Sequence, residues 1–321
     1  MARLRRFVAP ALLLALSASP LTAQKPTRPP PSGLPRPPAP TAAPTPAAVA
    51  GAPQPVAARP LRSSVVAGPT AGPLAGTRWI AIPAGVTYQL TTGPYTASAP
   101  GFEIMTTEVT GAIWRAVPTP LADLGTGEGR FPRTLISWLD IVGYDSTRLE
   151  GGQLRVNRRP GWLMALNGAE RDAGRTEYEY RLPDYHEWEA AARGTPAYAA
   201  DGPMNDGNLT HRLWCRTSRA LGDAAEGGDV TTANLGSFAW FGEAEDAPVH
   251  EVGGKATCGG LSDVFGNATE WVDNRSGPGR RVWRGGGVFF TADGVSAVMV
   301  GDMAEDGGSR GIGFRLARFR R

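Results

Sequence analysis

Residues 281 to 290 read RVWRGGGVFF. Alternating polar and apolar residues run into three consecutive glycines, then into Val288, Phe289 and Phe290. Glycine weakens a strand interior and gives nothing to pack, so it marks a bulge or a close approach of another backbone or a ligand. The stretch predicts a strand whose end lies against something that leaves no room for side chains. On either side the chain is rich in Gly, Trp and short strand-like runs, with few long amphipathic helices.

The N-terminal part is of another kind. Residues 1–23 carry Arg3, Arg5 and Arg6, an apolar stretch from Phe7 to about Leu16, and small residues ending at Ala23. That layout reads as a secretory signal, with an uncleaved N-terminal anchor as the other possibility, and its apolar core falls short of the roughly 20 residues of a membrane span. Residues 24–75 hold 15 prolines, abundant Ala and no acidic residue. Such a composition predicts an extended, disordered tether. The expected folded part is residues 76–321, exported to the periplasm or secreted.

This division changes the meaning of the charge. Residues 1–75 carry eight basic and no acidic residues, leaving 25 basic against 30 acidic, a net charge of −5, for the rest. The basic pI belongs to the signal and tether, so a nucleic-acid partner loses its electrostatic basis. The two cysteines are Cys215 and Cys258. In an exported chain an even pair points to a disulfide, with two buried thiols as the other possibility.

Three helices and one strand pair are legible. Trp79 to Ile82, Pro83-Ala84-Gly85 and Val86 to Leu90 read as strand, turn, strand. A helix begins after Thr110 and stops at Pro118; a second begins at Ser137, with Asp140 as capping-box partner. The third, in RLPDYHEWEAAARGT, has Asp184 as N-cap, Glu187 as its capping-box partner and Gly194 as the stop. After Thr195 the expectation is mostly loop, turn and short strand.

Five ordered blocks then carry a resemblance: TTEVTGAIWRAV (106–117), YRLPDYHEWEAAARGT (180–195), LSDVFGNATEWVDN (261–274), RVWRGGGVFF (281–290) and GIGFRLAR (311–318). Together they resemble the formylglycine-generating enzyme, or sulfatase-modifying factor, domain. The resemblance implies an α+β fold: one irregular domain related to the C-type lectin-like fold, low in regular secondary structure and often calcium-bound. It also implies copper-binding cysteines shortly after the glycines, where the family usually has Gly-Gly-Ser. Here Gly287 takes the serine position, and VFFTADGVSAVM (288–299) contains no Cys. Copper(I) is soft and held by thiolates, so copper-dependent oxidation of a substrate cysteine is not expected.

The resemblance further implies a calcium site at Asp263, Gly266, Ala268 and Glu270, two carboxylates and two backbone carbonyls on one turn. Hard oxygen donors of this kind suit Ca²⁺, with a metal-free salt-bridged loop as the alternative. Glu108 matches a family position associated with substrate contact, although a helix dipole explains a Glu there equally well. Arg284 and Arg315 read as structural forks in a strand-poor core. His186, His211 and His250 form no metal motif, since HEWEA is not HExxH.

Two functions stay open. One is an exported, calcium-stabilised domain that binds a peptide, glycan or envelope protein and has lost formylglycine-generating activity. The other is a non-copper oxidoreductase of the same superfamily acting on a peptide or peptide-derived substrate, with Glu108, Asp302, Glu305 or Asp306 as available acid–base groups.

Overall fold

The computed structural model describes residues 64–121, 125–150, 153–193 and 234–321, with the backbone alone for 64, 89, 145–150 and 153–158. The elements begin with β1 (Ser64–Ala67), β2 (Arg78–Pro83), β3 (Thr87–Leu90), β4 (Gly93–Thr96) and β5 (Gly101–Met105). Then come α1 (Gly111–Ala116), α2 (Trp138–Val142), β6 (Gly143–Glu150), β7 (Gln153–Pro160), α3 (Trp162–Asp172), β8 (Tyr178–Arg181) and α4 (Tyr185–Arg193). The C-terminal part supplies β9 (Thr269–Gly277), β10 (Arg280–Gly285), β11 (Ser296–Ala304), β12 (Ile312–Gly313) and β13 (Ala317–Arg320). One sheet runs in the order β1-β2-β5-β13-β8 and a second in the order β11-β10-β9-β12, with β3-β4 and β6-β7 as separate hairpins. The fold is mixed α and β with few, short helices, all within one compact unit.

The core follows from alternation. Successive strand residues point to opposite faces, so Trp79 of β2 joins one apolar cluster while Ile80 and Ile82 join another. Met105 and Ile104 of β5, and Trp271 and Val272 of β9, divide in the same way. The first cluster is tryptophan-rich. Trp114 and Trp162 stack with ring centroids 5.3 Å apart, and Phe314 meets both edge-on. Buried indoles need a hydrogen-bond partner: Trp162 Nε1 donates to Trp114 O at 3.0 Å and Trp271 Nε1 to Ile136 O at 3.2 Å.

The expected helices are present with their caps. Thr110 accepts from Ile113 N, Ser137 and Asp140 form a reciprocal capping box, and Asp184 accepts from His186 N and Glu187 N while Glu187 accepts from Asp184 N.

Three expectations need correction. Residues 64 to 75 belong to the folded domain and not to the tether: β1 pairs with β2 from Ser64↔Ala81 to Ala67↔Arg78, and Leu74 is completely buried. Val65 and Val66 supply the strand preference that the surrounding prolines obscure. The chain after Thr195 holds longer strands than expected, with β9 and β11 at nine residues each. α3 and the β6–β7 hairpin were not anticipated. Gly161 caps α3 without a side-chain bond, so no cap residue announced it. Among the described residues no helix is long and apolar enough to cross a membrane.

Candidate functional site

The three glycines each face an obstacle. β10 loses register with β11 between Arg284 and Gly285, and Gly285 takes φ 91°. A Cβ on Gly285 would sit 3.0 Å from Val264 O and 3.1 Å from the Trp188 ring; one on Gly286 would fall on the carbonyl of Gly294. At Gly287 it would meet Thr269 Oγ1 at 2.8 Å and the carbonyls of Asn267 and Gly311 at 3.2 Å. What needs bare backbone is therefore the protein's own interior. The following segment is core as well: Val288, Val295 and Ala297 are fully buried, and Phe290 packs on the apolar cluster.

Behind the glycines lies a buried polar cluster. Arg315, with no exposed surface, donates from Nε to Glu270 Oε2 at 2.6 Å and from Nη2 to Glu270 Oε1 at 2.5 Å. It also donates to the carbonyls of Met105 and Ser262 at 3.2 and 3.0 Å. Trp188 Nε1 adds a 2.7 Å bond to Glu270 Oε2. Asp263 and Glu108 lie in the same field. Asp263 Oδ2 accepts from Gly253 N at 2.6 Å, and Glu108 Oε1 accepts from Asn267 Nδ2 at 3.0 Å. Their other oxygens, Asp263 Oδ1 and Glu108 Oε2, are buried without a partner.

Three carboxylates face one guanidinium here. Burial raises Glu108 well above the usual carboxylate range, and the Asp263 charge pushes it further in that direction. Burial also raises Asp263, against the Gly253 N–H bond and Arg315. Arg315 loses to burial but gains more from Glu270, and its pKa is raised. With every carboxyl ionised the cluster carries a net charge of about −2, which a protein interior does not tolerate without a counter-charge or a proton.

On the other side of Trp188 the imbalance has the opposite sign. Glu189 accepts from Arg284 Nη2 and Arg193 Nε at 2.7 and 2.8 Å, and from Thr91 at 2.7 Å. Burial disfavours its charge, but Arg193 and Arg284 outweigh that and its pKa is lowered. Arg284 lies 3.9 Å from the Tyr185 ring centroid, a cation–π contact that partly replaces hydrogen bonds for the rest of its guanidinium.

A cleft of about 370 Å³ opens beside the glycine segment, lined by Phe131, Thr134, Ala247, Pro248, Val249 and Arg310 among others. One wall is fastened to the glycine strand: Gly242 N donates to Phe290 O and Glu243 N to Val288 O, at 2.7 and 3.0 Å. Val249 packs with Ala268 and Val288. The floor is the Thr126–Thr134 bridge, and Leu135 N holds the Arg310 loop through Ser309 O at 2.9 Å. A larger cleft of about 550 Å³ lies near Arg175, Arg318 and Arg320, but these pair with Glu170, Glu103 and Glu177, leaving no free charge to recognise a ligand.

The sequence-expected residues divide accordingly. Asp263 and Glu270 do come together, around Arg315, but Glu270 is engaged by that arginine and by Trp188. Gly266 (φ 79°) packs its Cα against Trp240, and Ala268 N approaches Glu108 Oε1 at 3.4 Å. Among the described residues no group of three His, Cys, Asp or Glu side chains is arranged to hold a metal. Glu108 was expected to contact substrate; it is fully buried, facing Asn267 and Ala268, and belongs to the interior cluster. Asp302 pairs with Arg280 and Glu305 with Arg281. His186 stacks on Tyr95 and His250 on Trp240, so they share no site; His211 lies outside the described residues. Cys258 is buried, and Cys215 lies outside the described residues. Neither residue type nor spacing in the sequence marks Asn267 and Glu189 as the buried hydrogen-bonding hubs they are.

An irregular α and β domain with few helices and two larger sheets is the architecture that the sulfatase-modifying-factor resemblance implies. The chain belongs to that family: the model for the sulfatase-modifying factor enzyme 1-like domain matches residues 70–320. Among solved structures it is similar to PvdO from Pseudomonas aeruginosa, at 17% identity over 82% of this chain and 99% of that one, TM-score 0.50. It is also similar to Treponema denticola variable protein 1, at 22% identity over 75% and 94%, TM-score 0.44. CarF matches at 20% identity over 75% and 97%, TM-score 0.42. Comparison with curated protein sequences gives no match.

Proposed function

We propose that this protein is an exported, calcium-stabilised member of the family that binds a ligand in the cell envelope and no longer generates formylglycine. The observation that carries the reading is the filling of the segment after Gly287. Val288, Phe290, Val295 and Ala297 pack there as core, with no thiol, while a cleft remains open alongside. Thiolates are what a soft copper ion requires; apolar side chains supply none. The ligand class is a peptide, glycan or envelope protein, presented to the cleft by a domain held off a surface on the Pro-rich tether.

Calcium fits the interior cluster on charge. Asp263 Oδ1 is an unpartnered buried oxygen, and a divalent cation would offset the excess of about two negative charges. Asp263, Glu270 and the carbonyls of Gly266 and Ala268 would hold it, with Glu270 shared with Arg315. Bound there, calcium would stiffen the turn that positions Asn267, and through it the cleft wall; it performs no chemistry on a ligand. The oxidoreductase alternative cannot draw on Glu108, which is sealed from the cleft.

The test pairs two assays on the full chain. With copper and a Cys-x-Pro-x-Arg peptide, mass spectrometry should find no aldehyde. On immobilised peptide and glycan libraries, saturable binding should appear and be lost in Ala247→Trp, which fills the cleft. Aldehyde product would overturn the proposal, as would binding indifferent to the plug.

A further inference from the structure

The cleft beside the glycine strand carries two charges of opposite sign that do not meet. Arg310 and Asp246 both line it, both are exposed, and among the described residues neither side chain forms a hydrogen bond or an ion pair. A third charge on the lining, Glu128, is 3.6 Å from Arg115. The remaining lining is apolar or small: Phe131, Ala247, Pro248 and Val249, over the buried Thr134. Next to Thr134, Leu135 is 42% exposed and held at φ 57°. A bulky side chain resists that backbone region, and such strain clusters at functional sites, ligand clamps among them. Its N–H bond to Ser309 O fixes the approach to Arg310.

Charge and size together restrict the occupant. A neutral apolar molecule would leave Arg310 and Asp246 to water and gain nothing from either charge. A purely anionic or purely cationic one would satisfy one and repel the other. A guanidinium takes a carboxylate in paired hydrogen bonds, and a carboxylate takes an ammonium. At about 370 Å³ the cleft is near the small end of ligand sites, roughly 300–1,000 Å³, and takes one small molecule or the end of a chain.

Resting on the ligand-binding reading above, we infer that the cleft binds a small α-amino-acid zwitterion, a free amino acid or a short peptide with both ends free. Its carboxylate lies on Arg310, its ammonium on Asp246, and one apolar side chain between Phe131 and Val249.

Calorimetric titration of the full chain tests this with five probes: leucine, the dipeptide leucyl-phenylalanine, its N-acetylated form, its C-amidated form, and the doubly blocked form. At least one free zwitterion should bind, and which of the two binds more tightly separates amino acid from peptide. Blocking either end should weaken binding at least tenfold. Arg310→Ala should erase the preference for a free carboxylate and Asp246→Asn that for a free amine; both are surface changes that leave the fold intact. A doubly blocked peptide that binds as well as the free one overturns the inference, as does the absence of binding by both zwitterions. If a neutral ligand binds and Ala247→Trp abolishes it, the zwitterion inference fails while the binding reading stands. If no library ligand is sensitive to that plug, both fail.

Discussion

Replacing Arg315 by Met removes the one cation of the interior cluster. The guanidinium is completely buried and makes two bonds to Glu270 and one each to Met105 O and Ser262 O. Met keeps most of the volume, so cavity formation contributes little. What remains is an unpaired Glu270 beside Asp263 and Glu108, and leaving a buried charge uncompensated costs about 3–5 kcal/mol. For domains of 150–250 residues each kcal/mol is worth roughly 2–4 °C, so the expected drop in melting temperature is about 6–20 °C. The assay is a double-mutant cycle with Glu270→Gln, followed by urea denaturation. If the pair acts as a unit, the double variant should lose less than the sum of the singles, with a coupling of about 0.5–3 kcal/mol. Calcium should stabilise Arg315→Met more than wild type, because the cluster is one charge more negative. A loss below about 1 kcal/mol, or strict additivity, would refute the idea that Arg315 is the counter-charge of this core.

Three further outcomes follow from the same physics. Gly287→Ser restores the residue usual in the family but should destabilise by about 1–3 kcal/mol, because its Cβ would meet Thr269 Oγ1 at 2.8 Å, and it should gain no aldehyde-forming activity; chemical denaturation and the peptide assay check both. With calcium removed by a chelator, wild type should lose stability as pH rises above the ordinary carboxylate range of about 4, since the raised Glu108 holds its proton better folded than unfolded; Glu108→Gln should show a shallower slope in pH-resolved melting curves. If Cys215 and Cys258 are bridged, non-reducing peptide mapping should recover one linked fragment, and Cys258→Ser should cost about 2–4 kcal/mol.

Local chemistry was legible in the sequence wherever one short segment contained both partners. Thr110 with Ile113, Ser137 with Asp140, and Asp184 with Glu187 lie three residues apart, and the structure places each as a cap. The three glycines announced a close approach, though not that Gly294, Thr269 and Asn267 would be the obstacles. The interior cluster was only half visible. Asp263 and Glu270 share a block, but Arg315 is 45 residues from Glu270, and Glu108 is 159 from Asn267. The cleft was invisible for the same reason: it joins residues 126–134, 246–249 and 310, and nothing in any one of those stretches implies the others.

The first strand has a mechanical corollary. β1 is an edge strand of four residues, zipped to β2 by an antiparallel ladder, and the whole N-terminal part of the chain connects to the domain through it. Any tug transmitted along that lead arrives first at the Ser64–Ala81 rung and can peel the ladder open rung by rung. Once β1 is detached, β2 still has β5 at its other side. The domain thus carries its own mechanical fuse, and an optical-trap record pulled from the N-terminus should show one small, early release before the main rupture.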